Sequence, residues 1–477
     1  MADEEALVMT DPYGVRPSSL EMSVGEEGAG RRRRAALGVL GLATLMQFDV
    51  GVVPALFLAD SGFSRHRLAQ ALLICVHAGG GGAANMMAGV WMRKHRTRHV
   101  AAFGLILGGC GVMFFAVVDS LPAELLARLL SGFGIGLVRL YLPIWLEELQ
   151  FDDALTWIVY LHRYCIFGQA AGYVLTCMGI SSELFSWTAV MLVHGMLLLG
   201  SALALIGPAD ISGKRLDSVI VESAAGWATM DAIAESREQW HTVASSTTHH
   251  MLLGIASVFF FASGMMCWAG PYSEVVFVDN TVGAAFGTLL AFGVAPVVGG
   301  QVGIRLVDRL SSSVGAVPES AFQTLCVRLS CAFAVAGVIT AFMSVDMLFW
   351  AVLCAAMGAG SALVVTAISG LAAATPSYLR ALEAAMTLVV AIGGTVLGPF
   401  TSAFVMQTLE EESRLAGGLA VVTLAGPVGA LICFTVAWMR GADTSEPRSV
   451  VTGQDEVTEE EAAAEASRRR AALPLVI

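Results

Sequence analysis

Charge is what this chain has least of. Of its 477 residues only 14% are Asp, Glu, Lys or Arg, whereas soluble domains average about 25%. A water-facing globule of this size needs more polar surface, so lipid has to replace water around most of it. The net charge of −12 argues against a nucleic-acid partner, because phosphate contacts need clustered Lys and Arg. The nine cysteines form no CxxC pair and no Cys/His cluster with metal-ligand spacing, and almost all sit inside apolar stretches. They read as small core residues rather than ligands or disulfides. GxxxxGK[ST] and HExxH are both missing, so ATP-driven pumping and zinc hydrolysis have no motif to carry them. No catalytic constellation, metal site or cofactor site is expected. Asn85 and Asn280 are the only asparagines, and neither opens an N-x-Ser/Thr site. The first thirty residues are polar and acidic and lack the apolar core of a signal peptide, so the first apolar span is expected to serve as the insertion signal.

What remains is apolar length. The chain is 56% hydrophobic, with mean hydropathy +0.72. A membrane-spanning helix needs about 20 mostly apolar residues. That ruler places spans near 35–59, 68–92, 99–119, 122–146, 155–179 and 186–207, then near 251–278, 282–304, 321–344, 347–372, 381–406 and 416–439. The expected fold is an all-α membrane protein of about twelve transmembrane helices in two six-helix bundles. Its parts are a disordered tail at 1–34, one bundle at 35–207, a polar linker at 208–248, a second bundle at 249–440 and a disordered tail at 441–477. In the linker, Leu216, Ile220 and Val221 stand at helical spacing, which suits an interfacial amphipathic helix or a solvated connection.

Positive residues set the expected orientation. Arg31 to Arg34, Arg93 to Arg98, Lys214, Arg215, Arg237, Arg305, Arg309, Arg440, Arg448 and Arg468 to Arg470 all fall on one side if twelve spans alternate. The opposite loops hold Arg65, Arg67 and Arg414. Both termini are therefore expected to be cytoplasmic. A repeat supports two related halves: Gly132, Gly134, Gly168 and Gly172 recur 226 residues later as Gly358, Gly360, Gly394 and Gly398. Shared helix-packing demand is the plainer explanation of such glycines. A parallel repeat, related by an axis along the membrane normal, accounts for them as well.

Charges inside spans need a partner or a wet cavity. Asp49 lies about 15 residues, roughly 22 Å, along the first span. Arg128 lies about 6 residues, roughly 9 Å, into the fourth from the other face. In a core about 30 Å thick these depths coincide, so the two can pair. The pair reads as a protonatable carboxylate governed by an arginine, or as a static tie between helices. Arg139, about three turns after Arg128, shares its face and suits an anionic group on a solute, or an acidic neighbour such as Glu147. Trp268, Tyr272 and Glu274 near the end of the seventh span, with Gln169 in the fifth, are further candidates for solute contact. The interfacial aromatic belt is the commoner role for such aromatics. His77, His162 and His194 are titratable, although buried histidines are more often simply hydrogen-bonded.

Several stretches carry a family pattern. Arg128-Leu-Leu-Ser131-Gly132-Phe-Gly134, continued by Pro143 and Glu147–Glu148, resembles the fourth-helix signature of the major facilitator superfamily. Gly303 through Asp308–Arg309 resembles that family's loop between helices eight and nine. Gly89 to Arg98 resembles its counterpart after helix two, with Arg93 where the family has Asp, which weakens the gating contact expected there. Ser186–Trp187 opens the sixth span as in family members. Within the superfamily, Phe261 to Gly264 with Trp268 to Tyr272, and Pro376 to Ala381 with Gly394 and Gly398–Pro399, resemble the spinster-type branch. Val50 and Ile135 depart from it, replacing an Arg and a Glu. The resemblance covers most of 35–440. It implies a proton-linked secondary carrier working by alternating access in a plasma or endolysosomal membrane, and the two-half design leads to the expectation of a monomer. Its substrate would be a lysolipid- or sphingolipid-like amphiphile. A porter for a small polar nutrient, organic anion or drug remains open, as does a non-transporting receptor or scaffold on the same fold.

Overall fold

The computed structural model describes residues 19–58, 66–94, 97–139, 141–148, 154–182, 186–206, 246–277, 281–314, 319–374, 380–409 and 414–443. The first half contains α1 (Ser19–Ala55), α2 (Arg67–Lys94), α3 (Thr97–Val117), α4 (Leu121–Arg139), α5 (Tyr141–Glu148), α6 (Ala154–Ser182) and α7 (Trp187–Ile206). The second contains α8 (Ser246–Phe277), α9 (Thr281–Thr288), a π-helical segment (Leu289–Val294), α10 (Ala295–Val314), α11 (Glu319–Thr340), α12 (Asp346–Ala374), α13 (Arg380–Thr408) and α14 (Arg414–Asp443). Together α4 and α5 occupy one expected span, and α9, the π segment and α10 another, so twelve rods result. No strand occurs among the described residues.

The two halves repeat one packing scheme. Within the first, α1 packs on α6, α2 and α3 on α4, and α3 on α7; within the second, α8 packs on α13, α10 and α11 on α12, and α11 on α14. Between halves, α2 packs on α13 while α6 packs on α9, the π segment and α10. These two seams exchange under the pseudo-twofold that relates the halves. The repeated glycines mark it atom by atom. A Cβ on Gly168 would strike the Thr44 carbonyl and one on Gly172 that of Phe48, while Gly394 and Gly398 would strike those of Ala256 and Phe260. Ala256 and Phe260 follow Thr44 and Phe48 by a common 212 residues. Backbone here lies directly on backbone, which only glycine allows. Gly172→Val and Gly398→Val should each cost about 1–3 kcal/mol, because neither carbonyl can withdraw without moving its helix. Gly200, with no atom near its missing Cβ, should tolerate Ala with a gain of about 0.5–1 kcal/mol. Melting temperatures of the three variants in one detergent check both signs.

Large apolar side chains remain outside the bundle, among them Met347 (85% exposed), Phe342 (72%) and Leu203 (69%). In water such a surface would aggregate; in lipid it is solvated. Ten described helices are long and apolar enough to cross a membrane. The other two rods, α2 and α6, have the length, at 28 and 29 residues. Both take part in the seams between halves, so part of their surface meets protein rather than lipid.

Several boundaries differ from the expected ones. The tail expected to be disordered to residue 34 is helical from Ser19, as an extension of α1. A ruler of apolar length stops at the edge of the lipid and gives no reading of a polar stretch that continues the same helix. The stretches expected as loops at Gly89–Arg98 and Gly303–Arg309 are largely helical, because α2 runs to Lys94, α3 begins at Thr97 and α10 continues to Val314. The amphipathic stretch at Leu216–Val221 lies outside the described residues, as do 1–18 and 444–477.

Candidate functional site

Asp49 and Arg128 meet in the first half. Arg128 Nη1 donates to Asp49 Oδ2 at 2.8 Å, with both side chains essentially sealed from solvent. The geometry follows from α1 and α4 running in opposite directions, so that positions counted from opposite faces reach one depth. The guanidinium is held further by the Leu73 carbonyl, 3.5 Å from Nε, and lies over the Phe115 ring at 5.7 Å. The Asp49 Oδ1 atom has no hydrogen-bond partner.

Two histidines complete the cluster, and sequence alone gave no reason to join them to Asp49. His77, from α2, places Nδ1 3.1 Å from Ser131 Oγ and 3.8 Å from Asp49 Oδ2. Ser131 Oγ in turn donates to the Arg128 carbonyl at 3.1 Å. With that hydroxyl hydrogen engaged, Ser131 can only accept from His77, which assigns the Nδ1–H tautomer to the ring. His194, from α7, tilts against Phe48 at 5.2 Å and is within electrostatic reach of Asp49 and Arg128. Neither of its ring nitrogens has a hydrogen-bond partner. One signal in the sequence did point to this depth of α2. His77 precedes the run Gly79 to Gly82, and Gly132 of α4 sits on the His77 carbonyl.

The pseudo-twofold supplies an internal control. The shift of 212 that links α1 to α8 carries Asp49 onto Phe261, and the glycine shift of 226 carries Arg128 onto Cys354. In the second half Phe261 packs edge-on against Phe333 at 5.1 Å. The equivalent positions of the second half thus hold uncharged side chains, and the two halves share their packing scheme without an ion pair at both places.

The remaining candidates do not converge on this cluster. Arg139 is exposed at the last residue of α4, at the end of the bundle where α8 begins. Tyr272 lies near the opposite end, buried among Phe277 and Phe349. Trp268 stacks on Phe57 of the other half at 5.6 Å, with the Arg67 guanidinium over its ring at 5.7 Å. Arg67 also donates to Gln70 Oε1 at 3.1 Å and is within electrostatic reach of Glu274. Nearby, Leu58, Tyr173, Cys177 and Ala285 form a small apolar cluster spanning both halves. The halves thus close at the end away from the N-terminus, and Trp268 belongs to that closure. Gln169, half-buried in α6, directs its amide to the Met266 sulfur of α8. Farther along the same seam Arg163 donates to Gln301. Gly89 and Arg93 lie in the last two turns of α2. Gly303 packs against Ala362 of α12, and Asp308 and Arg309 are exposed in the last turns of α10. No group of three or more potential metal ligands occurs among the described residues.

No protein-family model and no curated protein matches the sequence. Solved structures do match its shape. A bacterial homologue of the human lysosomal transporter spinster, inward-facing and unoccupied, superposes with a TM-score of 0.64 at 16% identity, covering 86% of this chain and 97% of that one. The same kind of homologue in an inward-facing, occupied conformation gives 0.60 at 16% identity, over 86% and 96%. A D-xylose–proton symporter gives 0.59 at 14%, over 85% and 96%. At these identities the likeness establishes the fold: two six-helix halves of the major facilitator type.

Proposed function

We propose that this protein is a secondary transporter that carries an amphiphilic or anionic organic solute between its two halves by alternating access, coupled to protons through Asp49. The observation that carries this reading is the sealed Asp49–Arg128 pair at a position where the second half manages with Phe261 and Cys354. Buried ion pairs can be replaced by apolar packing at little cost or with a gain, so structure alone does not account for its presence. A carboxylate whose counter-ion can move away is a means of linking proton binding to conformation. Arg128 would hold Asp49 ionised in the closed arrangement and release it when the helices shift.

In this reading both termini are cytoplasmic, the closed end is the outer one, and the protein works as a monomer. Protons and one organic solute are its partners, and it performs no covalent chemistry. The amphiphilic class rests on the spinster-like stretches around Trp268–Tyr272 and Pro376–Ala381. The shape shared with a D-xylose–proton symporter keeps a small polar solute as the second reading. Proteoliposomes with an imposed pH gradient and labelled lysophosphatidylcholine, xylose or a dicarboxylate test both. Gradient-driven accumulation of the lysolipid supports the first reading, and accumulation of xylose or the dicarboxylate alone supports the second. No flux of any solute on the panel, from protein shown to be folded, would overturn the transport assignment.

A further inference from the structure

A carboxylate that titrates during transport has to exchange its proton with something, and Asp49 has no access to water. Its relative exposure is 0%, and that of the groups around it is 1% for Arg128, 0% for Ser131 and 2% for His194. His77 is the least enclosed of the five, at 8% for the residue and 11% for its side chain. It is also the one carried by α2, the helix that packs on α13 at the seam between halves. Neither Arg128 nor Ser131 suits the task, since an arginine does not give up its proton in proteins and the serine hydrogen is engaged by the Arg128 carbonyl.

We infer that His77 is the proton carrier of Asp49, the group through which that carboxylate fills and empties; this rests on the reading of Asp49 as the coupling residue. In the resting arrangement the ring carries its hydrogen on Nδ1, shared with Ser131 Oγ, and the Nε2 lone pair is free. A proton from the solvent side binds Nε2. The Nδ1–H bond then breaks in favour of Asp49 Oδ2, 3.8 Å away, leaving a neutral carboxyl and a neutral ring protonated on Nε2. One proton has entered and one has moved on. A ring flip or tautomer exchange restores Nδ1–H, and the reverse sequence empties the site. The distance is longer than a hydrogen bond, which suits a transfer that has to wait. The carboxylate is engaged by Arg128 at 2.8 Å, and a shift of α1 against α4 that loosens this contact frees Oδ2 to turn to the ring.

The groups facing His77 come from two helices. Asp49 lies on α1 and is the one acid recorded beside the ring among the described residues. Arg128 and Ser131 lie on α4, with Arg139 of the same helix within electrostatic reach, while His194 of α7 stands within reach of Asp49 and Arg128. From α13 the groups that meet this stretch of α2 are the Ile392 side chain, at Gly82, and the Val396 carbonyl, which accepts from Cys75 at 3.1 Å. His77 therefore stands beside the carboxylate and its counter-ion together. The second half bears this out by omission. The glycine contact at Gly132 pairs with His77 and that at Gly358 with Ala295, so the half without the carboxylate also lacks the histidine.

The test follows the proton itself and needs no knowledge of the solute. Full-length protein in nanodiscs is subjected to a rapid pH drop, and protonation of the buried carboxyl is followed by its infrared carbonyl band. Asp49→Asn removes the band and so assigns it. In His77→Asn, whose amide keeps a polar partner for Ser131 but cannot relay a proton, the band should still form, at least about tenfold more slowly. His77→Gln is the parallel variant should the first fail to fold. A rate within about twofold of wild type in either folded variant would overturn the carrier role while leaving Asp49 as the coupling group. Absence of the band from the wild type at any pH at which the protein is folded would overturn the coupling reading beneath it.

Discussion

Proteoliposomes carrying Asp49→Asn are expected to exchange solute across the membrane yet fail to accumulate it against its gradient. A difference of about one pH unit is worth about 1.4 kcal/mol per proton, so one-to-one coupling sustains roughly tenfold accumulation. The variant's steady-state ratio should fall to about one while counterflow, which needs no net proton movement, continues. Asn keeps an oxygen for Arg128 to donate to but loses the site that a proton could occupy. Coupled accumulation that persists in Asp49→Asn would remove this carboxylate from the mechanism, wherever else the proton goes. Loss of counterflow together with accumulation would assign Asp49 to structure instead, and that outcome has to be distinguished from unfolding. Arg128 stays buried in the variant with its counter-charge gone.

That hazard defines the second expectation. Arg128→Met leaves Asp49 buried without the guanidinium that neutralises it at 2.8 Å, and only the His77 ring, 3.8 Å from Oδ2, stays beside it. It should cost about 3–5 kcal/mol, the range for breaking one side of a buried pair. The double variant Asp49→Leu/Arg128→Met removes both charges. It should return to within about 1 kcal/mol of the parent or exceed it, because the equivalent positions of the second half are held by the uncharged Phe261 and Cys354. Thermal unfolding of the parent, Asp49→Leu, Arg128→Met and the double variant in one detergent forms a double-mutant cycle. A single variant as stable as the parent would mean that Asp49 is not charged when buried. A double variant as unstable as the single would mean that the pair is part of the frame. If the double variant is stable, it becomes the cleaner transport control, since it is folded and has no carboxylate to titrate.

Much of this architecture was legible in the sequence, because in a membrane protein apolar length is the fold signal. Twelve runs of the right length appeared, and the helices occupy them with ends shifted by a few residues at most places. Composition hid what depends on water rather than lipid. The extension of α1 from Ser19 to Arg34 is polar, and polar helix and polar coil look alike under a hydropathy ruler. The pairing of Asp49 with Arg128 followed from depth alone, since helices fix height. Azimuth is a different matter, and no count along one helix tells which neighbour its side chains face. His77 and His194 therefore stood as two isolated histidines until α2 and α7 were placed around α1. For the same reason Arg139 and Tyr272, grouped on chemistry, proved to lie at opposite ends of the bundle.

The glycine contacts of the seams have a mechanical consequence. Where Gly168, Gly172, Gly394 and Gly398 take a carbonyl against the backbone, the touching surfaces belong to helices of one half. Across the halves, glycines meet side chains instead: Gly82 meets Ile392, Gly270 meets Tyr173, and Gly293 meets Ala170. Backbone set on backbone has no rotamer to change, so such a joint behaves as a weld. A joint made of side chains can re-form after a displacement of several ångströms, as a bearing does. The chain thus carries its stiffness inside each half and its compliance between them, and motion of one half over the other need not disturb the packing within either.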